Sequence, residues 1–155
     1  MKGRLQWEFP LDRSIGRRVM HPIDFVRRRL TKGLQVDINQ AEVRRGAEVE
    51  ALITISSRAG LGDVEVGVLC TEYYDEESTD SEGQTSRTTS EDVAHEQWQP
   101  VESAAGAQTV CLLIPAEAPF SYEGDCLSFK WELVARGRRS QRLDAQAGRE
   151  ISVLP

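Results

Sequence analysis

Few side chains in this chain could do covalent chemistry. The only histidines are His21 and His95, and the only cysteines are Cys70, Cys111 and Cys126. Nucleophilic catalysis needs an activated residue beside a base, with a third group orienting the base. No Gly-x-Ser-x-Gly turn accompanies either histidine. A zinc site would need several His or Cys at short spacing, and a phosphate cradle would need a glycine-rich loop; the chain has neither. With no catalytic role filled, the expectation is a protein that is not an enzyme, with no catalytic residues, no metal site and no cofactor. The rival is a hydrolase assembled from scattered residues, because among 25 acidic side chains some pair can always meet in space.

The run Asp75 to Gly83 gathers carboxylates and hydroxyls, the ligand types calcium prefers. Its spacing is not that of an EF-hand, and no bidentate glutamate follows at the required offset. A solvated hairpin tip is the expectation. The three cysteines fall in or beside expected strands and are read as buried, reduced thiols; one disulfide with a thiol left over is the alternative. No stretch approaches the roughly 18 apolar residues of a membrane helix, and the basic N-terminus has no apolar signal core. The expected location is therefore cytoplasmic.

The net charge of −6 over 155 residues hides a division. Residues 1–33 carry nine basic and three acidic side chains, a balance of +6, which leaves −12 for the remainder. Such asymmetry marks an arm that engages something else. The arm also holds large apolar residues that are costly to leave in water. His21-Pro22 can start a short helix, Ile23, Val26 and Leu30 share one face of it, and Lys32-Gly33 stops it. About ten residues of helix are not stable alone, so this segment must pack on the body or on a partner. Arginines with aromatics are what interface centres use, so Trp7, Phe9, Arg17, Arg18, Phe25, Arg27, Arg28 and Arg29 are the candidate partner-binding residues. The expected partner is a protein, in a multi-subunit assembly or through self-association. An anionic membrane surface is the alternative. Nucleic acid is not expected, because the acidic body would repel phosphate. The arm folding back on its own acidic body remains a parallel reading.

The elements after residue 33 read as strands. Leu34, Val36 and Ile38 alternate inward; Val49, Ala51, Ile53 and Ile55 repeat the pattern, as do Val64, Val66, Val68 and Cys70. The strand from Val64 is expected to reach Tyr73 or Tyr74. Thr85 to Glu91 and Val93 to Val101 read as two further segments, and Arg142 to Ala147 and Glu150 to Val153 as two last strands around Gly148. Thr109 to Ile114 is another strand. Pro115 and Pro119 then bracket a segment that cannot enter a central ladder. From Cys126, Leu127, Phe129, Trp131, Leu133 and Ala135 point inward, and Ser128, Lys130, Glu132, Val134 and Arg136 outward.

The late run Ile114-Pro115, Ala118-Pro119, Ser121-Tyr122, Gly124 and Trp131 resembles the last strands of an arrestin-type lobe. Leu34 to Ile38, the turn through Gly46 with Glu48, and Ala51 to Ile55 resemble its opening strands, although Ala47 here separates the glycine from the glutamate. The resemblance spans Leu34 to Leu154 and is to a single lobe of a bacterial arrestin-type or sporulation-control-like protein. It implies an all-β fold, an immunoglobulin-like antiparallel β-sandwich used for binding. The expected organisation is thus a basic N-terminal arm, 1-33, and a β-sandwich domain, 34-155. Arrestin-type adaptors usually join two lobes, so the resemblance implies that a second copy or another subunit supplies the missing surface.

Overall fold

The computed structural model describes residues 33–102, 104–138 and 145–155. The described residues form nine strands in two facing sheets. The smaller sheet has the order β1-β3-β6, with β1 at Leu34–Ile38, β3 at Glu48–Ile55 and β6 at Gly106–Leu113. The larger has the order β2-β9-β8-β4-β5, with β2 at Glu42–Arg44, β9 at Ala145–Leu154, β8 at Leu127–Gly137, β4 at Val64–Thr79 and β5 at Thr85–Val101. The two-residue strand β7, Tyr122–Glu123, pairs with β8 beyond the point where β9 leaves it. The all-β sandwich expected from the sequence is what is observed. One pairing departs from the antiparallel expectation: β2 runs parallel to β9. The connection between them traverses the whole domain, so the hairpin constraint that enforces antiparallel order does not apply.

Alternation explains the core. Leu34 and Val36 of β1, all four inward residues of β3, and Val110 and Leu112 of β6 are buried and face Val64, Val66, Val68, Trp131, Leu133 and Ala135 of the larger sheet. Removing each of the Val, Leu and Ile side chains among them from water contributes about 1.5–3 kcal/mol. The sandwich is closed by specific polar ties. Arg149 of β9 donates from Nε to the Val36 carbonyl at 2.9 Å and pairs with Asp37 at 3.2 Å, joining the two sheets. At the turn of residues 45–47, Gly46 takes φ +80° and donates its N–H to the Ile114 carbonyl at 2.8 Å; a side chain there would be strained. The proline-bracketed segment crosses from β6 to the large sheet, where the Pro119 carbonyl accepts from Trp131 Nε1 at 2.9 Å.

Several local expectations change. The acidic run is not all tip: β4 continues to Thr79, and the turn proper is residues 80–84. Thr85 to Val101 is one strand, with a bulge that leaves Ala94 unpaired as Cys70 meets His95 and Thr71 meets Val93. Pro100 is tolerated inside β5 because β5 is an edge strand. Where two last strands were expected, the described residues form one, β9, which passes straight through Gly148; residues 142–144 of the first lie outside the described residues. Leu127 has inward parity but is 36% exposed, because the smaller sheet does not extend over it. Val134 has outward parity yet is 1% exposed. Its register partners on either side are Gly67 and Gly148. The Trp98 ring lies over Gly67, with Cε3 2.7 Å from where a Cβ would be, and the Glu132 carboxylate fills the space above Gly148. Of the cysteines, only Cys70 is buried; Cys126 is half-buried and Cys111 exposed, and all three are free.

Candidate interaction surface

The two sheets differ in length, and this creates the surface of most interest. At about 3.3 Å per residue, β4 and β5, of 16 and 17 residues, are twice as long as β3 and β6, of eight each. On β4 and β8 the inner face is buried as far as the register row Trp131–Cys70, whose β5 member His95 is half-buried. Beyond it the same face continues, less covered, as a ledge. The next row is Tyr122–Phe129–Glu72–Asp92, and the one after it Leu127–Tyr74–Ser90. Tyr122 is 48% and Leu127 36% exposed, and Phe129 and Tyr74 are half-buried. Glu76 follows on the same face and accepts from Ser90 Oγ at 2.8 Å.

The ledge is electronegative. Tyr74 Oη donates to Asp92 Oδ2 at 2.8 Å. The phenol is held above its ordinary pKa, first by that hydrogen bond, then by desolvation and by the charges of Asp92, Glu76 and Glu72. An apolar and aromatic floor with three carboxylates around it suits a ligand that is both apolar and cationic. The bulge at Ala94 sets this arrangement. It shifts β5 by one residue, so that Asp92 shares the inner face with Glu72 while Val93, 58% exposed, turns outward.

The outer face of the large sheet presents a second feature. The Arg136 guanidinium stacks 3.8 Å from the centre of the Trp98 ring and pairs with Glu65 through Nε at 2.9 Å. Next to it is a shallow cleft of about 470 Å³ lined by Asp63, Glu65, Pro100, Arg136 and Arg138 among others. Both side chains of the Arg136–Glu65 pair stay exposed, at 50% and 42%.

His95 lies opposite Cys70 in the register, with its ring 5.6 Å from that of Trp131. This Cys–His juxtaposition was not legible in the sequence, since 25 residues separate the two positions. Burial, with a smaller contribution from Glu72, pushes the Cys70 thiol up to about 12, and a protonated thiol is a poor nucleophile. Cys126 Sγ accepts from Arg87 at 2.9 Å. Among the described residues no group of three or more His, Cys, Asp or Glu is arranged to hold a metal ion, and no helix is long and apolar enough to cross a membrane.

The sequence-derived binding residues Trp7, Phe9, Arg17, Arg18, Phe25, Arg27, Arg28 and Arg29, the short helix expected among them, and His21 lie outside the described residues. The ledge was missed because Leu127 and Phe129 read as core. The signal that bears on it is the alternation Glu72, Tyr74, Glu76, in which inward positions turn acidic halfway along a strand.

No protein-family model matches the chain, and no curated protein matches it. Among solved structures it is similar to the crystal structure of Spo0M, a sporulation control protein from Bacillus subtilis, with 12% identity and a TM-score of 0.49. The match covers 79% of this chain and 50% of that one, so the chain spans about half the length of that protein.

Proposed function

We propose that this protein is a non-enzymatic interaction module, a scaffold or accessory subunit that docks on a larger protein partner through its arm, residues 1–33. The observation that carries this reading is the charge division, +6 in the arm against −12 in the rest, combined with Trp7, Phe9 and Phe25 in the basic part. A solvating tail has no use for those rings, and a core element has none for so many arginines. On a partner, the aromatic side chains fill apolar pockets while Arg27, Arg28 and Arg29 meet carboxylates in bidentate pairs. The high thiol pKa of Cys70 and the polar-aromatic surfaces of the body are in keeping with recognition rather than catalysis.

The test is affinity purification with tagged wild-type chain and with two full-length variants, Trp7→Ala/Phe9→Ala and Arg27→Ala/Arg28→Ala/Arg29→Ala, followed by binding of the purified partner. Loss of one anchor costs about 2 kcal/mol or more, roughly thirtyfold in affinity. Equal recovery of the same partner by all three proteins removes the arm from the docking role. Co-sedimentation with anionic vesicles that fades with salt, without a protein partner, supports a peripheral membrane adaptor instead.

A further inference from the structure

We propose that the acidic-aromatic ledge of the large sheet is the docking site for this chain's own arm in the free protein. The assignment concerns the unpartnered molecule and stands apart from the partner reading above. The ledge offers Tyr122, Phe129, Leu127 and Tyr74 as a floor, with Glu72, Glu76 and Asp92 beside it. These residues continue the hydrophobic core face; Phe129 and Tyr74 are half-buried, whereas Tyr122 and Leu127 are exposed. Partly exposed aromatic surface of this kind favours an apolar cover, and its carboxylates disfavour an acidic one.

Charge complementarity selects the occupant. The body outside the arm carries −12, so a second copy's sandwich laid on the ledge would set acid against acid. The arm carries +6 and interleaves Ile23, Phe25, Val26 and Leu30 with Arg27, Arg28 and Arg29. That combination matches an apolar floor with a carboxylate margin. Its length also suffices. Leu34 pairs with Ile55, at the end of the small sheet away from the ledge, so the arm must run back over about 26 Å, the length of an eight-residue strand. The chain before Leu34 spans up to about 110 Å when extended, so part of it can coil and still reach. The same arginines would serve the ledge and a partner's carboxylates, so docking on the body and docking on a partner exclude one another and a partner must displace the arm.

Hydroxyl-radical footprinting of the full chain reads side-chain access directly. In the wild type, Tyr122 and Leu127 oxidise slowly; in Arg27→Glu/Arg28→Glu/Arg29→Glu they oxidise several-fold faster, while Val93 on the outer face and Leu113 on the small sheet do not change. Adding Glu72→Arg/Glu76→Arg to the arm variant restores the slow rate, which loss of folding could not do. Protection that is the same at every protein concentration assigns the cover to the chain's own arm; protection that grows with concentration overturns that in favour of another copy. Equal oxidation of Tyr122 and Leu127 in wild type and arm variant overturns the ledge assignment outright. If partner capture still depends on the arm in that case, only the present inference falls; if capture is arm-independent while the ledge is protected, only the partner reading does.

Discussion

The two halves of the β4–β5 hairpin share one backbone ladder, broken once by the bulge at Ala94, and are held by different forces. In the first half, Val64 to Cys70 has β8 on one side and β5 on the other, and every inward side chain is buried. In the second half, beyond Tyr74, β4 has only β5 as a neighbour, and Glu76 to Thr79 are exposed. There the cross-strand pairs are polar. Thr89 Oγ1 donates to Asp75 at 2.8 Å, the hydroxyls of Ser78 and Ser86 meet at 2.8 Å, and Arg87 pairs with Asp75 at 2.9 Å. Two-stranded ribbons are marginal in water. The distal half persists because it extends a strand already fixed by the core, with cross-strand polar pairs adding roughly 0.2–1 kcal/mol each. Burial therefore sets the position of the hairpin, and the polar ladder only prolongs it.

The sharpest way to break this contrast is in the buried half. Trp131→Ala removes a fully buried ring and its hydrogen bond to the Pro119 carbonyl. It should destabilise the domain by about 3–5 kcal/mol, measured by chemical denaturation. A loss below 1 kcal/mol would show that the row Trp131–Cys70–His95 does not anchor the hairpin.

Gly67→Val tests the outer side of the same half. A side chain at residue 67 would meet the Gln97 carbonyl and the Trp98 ring. Trp98 would have to leave, exposing Val134 and separating the ring from Arg136. The expected cost is about 1–3 kcal/mol, with a change in tryptophan emission as the local readout. Unchanged emission would mean that the ring does not lie over Gly67.

In the distal half, Arg87→Ala removes the pair with Asp75, whose side chains are 49% and 19% exposed. Exposed pairs contribute about 0–1 kcal/mol, so global stability should barely move. Amide exchange should quicken only in residues 75–89. A global loss as large as that of Trp131→Ala would erase the distinction between the halves.

The smallest effect is expected at the boundary, in the titration of Tyr74. Its folded pKa is raised, chiefly by the hydrogen bond to Asp92. The neutral phenol is thus favoured by folding: the contribution is present below the ordinary tyrosine pKa and is lost as pH rises through the folded value. Followed by phenolate absorbance, one tyrosine should ionise later than usual, and Asp92→Asn should bring it down. No difference between the two proteins would remove Asp92 from the ledge's electrostatics.

What the sequence determined by itself was whatever depends on period and sign. Alternating branched residues placed β1, β3, β6 and the first half of β4, because a period of two puts one face in the core wherever the strand lies. The same rule placed Trp131 and Leu133 inside, and proline placed the crossing segment at 115–119. The charge division between arm and body needs no structure to be seen. Tertiary structure alone decided where a regular face stops being covered. Leu127 keeps the inward parity of Trp131 and is exposed, because the opposing sheet ends first. Val134 has outward parity and is buried, because two glycines in neighbouring strands leave room that Trp98 and Glu132 fill. Asp92 faces inward because Ala94 bulges. Each of these depends on the length or register of a different strand, and local spacing carries no record of a neighbour that is distant in the chain.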